Sequence, residues 1–293
     1  DWAEQRPEVR PGGWAFQYNN AYYPDLDDTA VVAMAMHRAE ANSSAQTYDP
    51  AIARAREWVL GLQSENGGWA AFDADNTYGY LNNIPFSDHG ALLDPPTEDV
   101  TARCISMLAQ LPADEEGKRA IARGIDYLRT TQRPDGSWYG RWGMNYIYGT
   151  WSCLCALNAA GLEPDDEMVA RAADWLLSIQ NDDGGWGEDG ASYKLDYRGY
   201  EPAPSTASQT AWALLALMAA GKADHPQVRR GVEYLIASQN NEGLWDEERF
   251  TATGFPRVFY LRYHGYRKFF PLWAVARYRN LTAANDRRVA FGM

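Results

Sequence analysis

Apolar positions along this chain fall into two kinds of helical run, and the two kinds alternate. One kind is apolar on nearly every side, at residues 30–36, 103–111, 151–160 and 207–220. The other is amphipathic and ends in Gln-x-x-x-Gly-x-Trp, which stands unchanged at 63–69, 132–138, 180–186 and 239–245. Five residues before each Gln is an aromatic residue (Trp58, Tyr127, Trp175, Tyr234), and nine before is an arginine (Arg54, Arg123, Arg171, Arg230). This spacing predicts an amphipathic helix that stops at a glycine turn. There the glycine takes positive φ and the tryptophan folds back over the helix end. Identical spacing at four sites marks a repeated scaffold contact, so these tryptophans are structural and do not stack on a sugar.

Capping residues open the apolar set: Asp28-Thr29, the segment 98–101, Thr150 and Ser205-Thr206. A polar-faced helix followed by an apolar one, repeated along the chain, predicts an all-α fold of the α/α-barrel class, with the apolar helices inside and more than half the residues helical. No strand pattern competes. Parallel inner helices would gather Asp25, Asp27, Asp28, Glu98, Asp99 and Thr150 around a common mouth.

Composition narrows the function. A chain of 293 residues, 46% of them hydrophobic, buries a substantial core. A net charge of -12 argues against nucleic acid as a partner, since phosphate binding needs a basic face. Three cysteines and four scattered histidines form neither a disulfide ladder nor a zinc pattern. The 12 Trp, 18 Tyr and 9 Phe exceed what the repeats use.

The candidate chemistry lies in DLDDTA at 25–30, three aspartates leading into an apolar helix. Three carboxylates this close repel, so at least one is expected to hold its proton above the usual aspartate value of ~3.9. A neutral carboxyl that can release a proton is a Brønsted acid. Helix capping and attraction to the helix dipole account for one such aspartate, not for three.

DLDDTA, the four repeats, GRWGMNYIYG at 140–149, GGWAAFDADN at 67–76 and TGFPRVFYLRYHGY at 253–266 together resemble squalene-hopene cyclases over the whole chain. Family members are about twice as long, so the resemblance implies the C-terminal half of a two-barrel enzyme. Residues 1–245 would be its catalytic α/α barrel, and residues 246–293 would pack on a second barrel in the other half. The chain starts mid-pattern without Met and is expected to be a fragment, or one half of a split protein, inactive alone.

The implied activity is proton-initiated cyclisation of squalene to hopene or hopanol. By the resemblance Asp27 is the acid, Asp25 and Asp28 tune it, and Asp99, Arg103 and Tyr148 form the surrounding relay. Arg103 stands where well-studied members carry histidine. Its guanidinium could lower the pKa of Asp27, or equally neutralise Asp25 or Asp28. Cavity-lining aromatics of the family fall on Phe16, Phe72, Trp142, Phe255, Phe259, Tyr260, Tyr263 and Tyr266, whose faces would stabilise carbocations. Any single one of them also fits ordinary core packing. The resemblance implies no cofactor and no metal. It implies squalene, the other half of the enzyme, a homodimer and the cytoplasmic membrane surface as partners, with the apolar loop 81–93 near the substrate entrance.

Three other readings compete. A protein prenyltransferase β-subunit has a similar barrel but needs an Asp, Cys and His zinc site. An α/α-barrel glycosidase would place Asp27 and Asp99 on either side of a sugar. A non-catalytic lipid-binding barrel would be expected to have lost the aspartate cluster.

Overall fold

A computed structural model describes residues 2–41, 47–84, 92–112, 114–193, 199–284 and 288–293. Among these are ten α-helices and two short antiparallel strand pairs. The helices take up slightly under half of the chain, less than the pattern predicts, because the segments after the repeat tryptophans run as long loops. The chain divides into two compact units, Asp1–Thr130 and Thr131–Met293.

The first unit contains α1 (Trp2–Gln5), β1 (Trp14–Ala15), β2 (Pro24–Asp25), α2 (Leu26–Glu40), α3 (Asp49–Gly61), α4 (Glu98–Gln110) and α5 (Glu115–Thr131). α2 packs against both α3 and α4. α4 is buried continuously from Asp99 to Leu108, as an inner helix must be. The second unit holds α6 (Tyr146–Ala159), α7 (Glu167–Ser178), α8 (Ala207–Ala219), α9 (Pro226–Ala237), β3 (Ala252–Phe255), β4 (Phe259–Leu261) and α10 (Tyr266–Ala283). Every residue of α8 is buried, and it packs on α6 and α10, with α7 and α9 also against it.

The repeat builds one contact set several times. Gly67, Gly136, Gly184 and Gly243 have φ of 90°, 99°, 88° and 74°. The indole N–H of Trp69, Trp186 and Trp245 donates to the carbonyl ten residues earlier, on Val59, Leu176 and Leu235, at 2.7, 2.8 and 2.7 Å. The side-chain amide of Gln63 donates to Gly67 and to Ala120, that of Gln132 to Gly136 and Met168, and that of Gln180 to Gly184 and Gln227. Each glutamine thus ties its own turn to the next outer helix. Arg123, Arg171 and Arg230 donate to carbonyls of the preceding repeat's turn, at Ser64, Arg133 and Asp182.

The backbone N–H of Trp69, Trp138 and Trp186 donates to a threonine hydroxyl on an apolar helix: Thr101, Thr150 and Thr210, at 2.9, 3.0 and 2.9 Å. The same bond joins Trp14 to Thr29 at 2.8 Å. Gly12-Gly13-Trp14 is therefore a further copy of the motif's end, unread in the sequence because Glu8, not glutamine, stands six residues before this tryptophan.

Three expected caps shift. Thr150 lies inside α6, whose N-cap is Asn145, Asp28-Thr29 lie inside α2, whose N-cap is Asp25, and 98–101 lies inside α4, whose N-cap is Thr97. The hydroxyls of Thr150, Thr29 and Thr101 instead serve repeat tryptophans.

A Cβ on Gly67 would stand 2.5 Å from the Arg123 carbonyl oxygen, on a backbone at φ +90°, whereas Gly161 at φ +84° has nothing within 4 Å. Gly161→Ala should cost about 1 kcal/mol, the backbone term alone, and Gly67→Ala roughly 2 kcal/mol or more, measured by urea unfolding. Equal losses would show that the turn does not press on α5.

Candidate active site

The aspartate cluster forms the first turn of α2 and is clamped from within its own unit. Asp25 pairs with Trp14 across the β1–β2 register. Its Oδ1 accepts the Asp28 N–H at 2.7 Å, closing the helix cap. The Leu26 N–H donates to the Ala71 carbonyl at 2.8 Å. The Thr29 hydroxyl donates to the Asp25 carbonyl at 2.5 Å while accepting from Trp14.

Capping explains where Asp25 sits but not its second oxygen. Oδ2 is buried with no hydrogen-bond partner, an environment that suits a neutral carboxyl and penalises a carboxylate. Burial first, then the adjacent Asp28 carboxyl, pushes Asp25 up to about 9.

Asp27 has a different environment. Its Oδ1 accepts from Arg103 Nε of α4 at 2.9 Å, the Arg103 side chain being 7% exposed and that of Asp27 29%. Burial raises Asp27 to about 6, with the Arg103 cation pulling it down and the charges of Asp99 and Asp28 pushing it up. Arg103 therefore pairs with Asp27. Asp99, in the first turn of α4, is 2% exposed and accepts from the Thr97 hydroxyl at 2.6 Å. The starts of α2 and α4 thus bring together Asp25, Asp27, Asp28, Asp99 and Arg103, while Thr150, expected at the same mouth, lies inside α6 of the second unit.

Two groups here escape sequence reasoning. Asp94 accepts the backbone N–H of Ala71, Phe72 and Asp73 at 3.2, 2.5 and 2.8 Å. It fixes the loop whose Ala71 carbonyl holds Leu26, and burial raises it to about 6 against those three amides. Its partners are backbone groups, so no residue pattern marks it. Cys104 lies buried in α4, its thiol pushed up by burial and then by the charges of Asp27 and Asp25. Phe16 and Phe72 stand 62% and 37% exposed on the loops beside this turn.

The remaining aromatic candidates belong to the second unit. Tyr148 is buried, edge-on to Trp151 and Trp212 at 5.4 and 5.0 Å. Trp212 meets Tyr266 at 5.7 Å, and Tyr266 meets Tyr263 at 4.9 Å and Phe270 at 5.1 Å. Trp151, Trp212, Phe270 and Trp273 extend this aromatic body. The sequence leaves out Trp151 and Trp212 because the apolar helices α6 and α8 read as plain core, and Phe270 and Trp273 because α10 lies beyond the last repeat.

Phe255 packs on Phe259 at 5.7 Å, and the Tyr260 hydroxyl donates to the Gly190 carbonyl at 3.1 Å. The Arg141 guanidinium lies 4.4 Å over Trp142 and 5.5 Å over Phe255, so a cation already occupies one face of each ring. Of the loop 81–93, residues 85–91 lie outside the described residues, among which no helix is long and apolar enough to cross a membrane.

The family model for the squalene-hopene cyclase C-terminal domain matches residues 1–280. The chain belongs to the squalene-hopene cyclase family. It is 72% identical over 293 residues to squalene–hopene cyclase of Bradyrhizobium diazoefficiens, covering 100% of this chain and 44% of that protein. The corresponding protein of Alicyclobacillus acidocaldarius is 48% identical over 280 residues, covering 95% and 44%. The chain thus spans under half the length of these relatives. Among solved structures, the type II terpene cyclase MstE from Scytonema, in complex with merosterolic acid A (product), aligns with a TM-score of 0.61 over 93% of this chain and 76% of that one, at 20% identity. The fold is the α/α barrel of type II terpene cyclases. In this squalene-hopene cyclase family member the acidic turn therefore sits on the scaffold that its sequence predicts.

Proposed function

We propose that this chain carries the acid centre of a class II triterpene cyclase that converts squalene to hopene or hopanol, with Asp27 as proton donor. The observation that carries the reading is the pairing of a part-exposed Asp27 with Arg103, beside a buried Asp25 that stays protonated at neutral pH.

An isolated alkene is a very weak base, so its protonation needs an acid whose conjugate base is stabilised and whose surroundings are dry. The alkene π pair takes the proton of Asp27 and forms a C–H bond, leaving a carbocation that the next alkene attacks. The sequence of ring closures ends with loss of a proton, giving hopene, or capture of water, giving hopanol. Arg103 stabilises the Asp27 carboxylate left behind, which makes Asp27 a stronger acid than burial alone would allow. Asp25, being neutral, adds no charge to repel that carboxylate. Asp25 is spent on the helix cap and closed off, which leaves the part-exposed Asp27 and Asp28 to face substrate, and of these Asp27 holds the Arg103 pair.

By resemblance, Phe16 and Phe72 in the first unit, and Trp142, Phe255, Phe259, Tyr260, Tyr263 and Tyr266 in the second, are assigned to contact with hydrocarbon and cations, and Tyr148 to the relay around the acid.

The test joins this chain to the N-terminal part of the Bradyrhizobium diazoefficiens relative and incubates the purified fusion with squalene. Pentacyclic product by gas chromatography is expected from the fusion and none from the chain alone. A folded fusion that leaves squalene untouched would refute the reading.

A further inference from the structure

Trp142 stands in a loop held at two places within the second unit. On one side Thr253 N–H of β3 donates to the Trp142 carbonyl at 3.2 Å, and Met144 N–H donates to the Thr251 carbonyl at 3.0 Å. On the other, at 145–147, the loop runs into α6 and is held by a carboxylate. Glu188 is 1% exposed. Its Oε2 accepts the backbone N–H of Asn145 at 3.2 Å and of Ile147 at 3.0 Å, and its Oε1 accepts that of Tyr146 at 3.2 Å. Three donors of the α6 N-terminus thus end on one carboxylate, which the helix dipole also favours.

Asn145 makes no cap of its own. Its side chain is turned away, accepting from Gly140 N–H at 3.2 Å and donating to the Ser192 hydroxyl at 3.0 Å. Around this bond set, the Tyr193 hydroxyl bridges the Gly140 and Gly143 carbonyls at 2.5 and 2.7 Å. The Gln209 amide reaches the carbonyls of Met144 and Glu188 at 3.3 and 3.2 Å. Burial pushes the Glu188 carboxyl up to about 7, against the pull of the amides of Ile147, Tyr146 and Asn145.

We infer that Glu188 is a positioning residue for the start of α6 at 145–147, sharing with β3 the placing of Trp142 and so how far cyclisation runs before a cation is quenched. The inference rests on the cyclase reading above for its catalytic half, and on geometry alone for the clamp. The position carries a sequence signal. Glu188 stands two residues after the repeat tryptophan Trp186, and Glu247, two after Trp245, accepts the Ser208 N–H and hydroxyl at 2.9 Å each, at the start of α8. The matching positions after Trp69 and Trp138 are Ala71 and Gly140.

The test uses the full-length fusion with Glu188→Gln, which keeps the side-chain shape, and Glu188→Ala. Hydrogen exchange read by mass spectrometry should rise about ten-fold or more at the amides of 145–147 while peptides covering α2 stay unchanged. Squalene consumption should remain within roughly three-fold of the parent while the share of incompletely cyclised products rises at least about five-fold. Glutamine, retaining one acceptor, should fall between the parent and alanine.

Unchanged exchange in both variants would overturn the inference, as would raised exchange with an unchanged product profile. Loss of helix throughout the chain in both variants would assign Glu188 to folding at large and overturn it too. If the parent fusion consumes no squalene, the cyclase reading has failed separately, and the exchange arm still decides the clamp.

Discussion

Asp27→Asn in the full-length fusion should lower squalene consumption by at least about 1,000-fold while the helical fold persists. Asparagine keeps the shape and an amide oxygen that can accept from Arg103 Nε, now 2.9 Å from Asp27 Oδ1, but it has no proton to give. The wild-type rate carries the complementary signature. Asp27 titrates at about 6, and only the protonated form donates, so the chemical step should be fastest below that pH and fall roughly ten-fold per unit above it. Product analysis across pH 4.5–8.5 with circular dichroism checks both. Near-normal cyclisation by a folded Asp27→Asn protein would return the cluster to the status of a helix cap.

Asp25→Asn should stabilise the protein while impairing it. The Asp25 carboxyl is raised from 3.8 to about 9 in the folded chain, mainly by burial. The native state therefore keeps a proton that the unfolded chain releases between about pH 4 and pH 9. Wherever the native state binds more protons than the unfolded one, stability falls as pH rises. The contribution of this group is thus intact below about pH 4, is lost progressively through the window, and is gone above about 9. Asparagine cannot lose that proton and caps a helix as well as aspartate does. The variant should match the parent near pH 4 and exceed it by a few kcal/mol at pH 8, as read by urea unfolding at both pH values. Cyclisation should drop, because the cluster titrates as one unit. A variant less stable than the parent at pH 8 would mean that Asp25 is not held neutral.

The scaffold was the legible part of this chain. Glutamine, glycine and tryptophan recur at fixed spacing because each makes the same bond in each copy, and repetition is what a single sequence can display. The positive φ of Gly67 and its equivalents follows from that pattern. Cap positions were less legible, because any of three aspartates could close α2 by residue type. The choice falls on Asp25 through the pairing with Trp14 and the Ala71 carbonyl, contacts from distant parts of the chain.

Arg103 had three carboxylates to choose from, and only the packing of α4 on α2 gives it to Asp27. Asp94 stayed hidden because its partners are backbone amides, which every residue has, and Glu188 because a glutamate stands at its place in only two of the four repeats. Trp151 and Trp212 in the aromatic body were hidden for the opposite reason, since apolar residues on apolar helices look like core whatever else they do.

The central claim is that ring formation starts with a proton delivered by Asp27 and replenished from water. Running the full-length fusion with squalene in deuterium oxide and weighing the product by mass spectrometry tests it most directly. One firmly bound deuterium per cyclised molecule, at the carbon protonated first, is the expected result, with no deuterated product from Asp27→Asn. Cyclised product free of deuterium would contradict it.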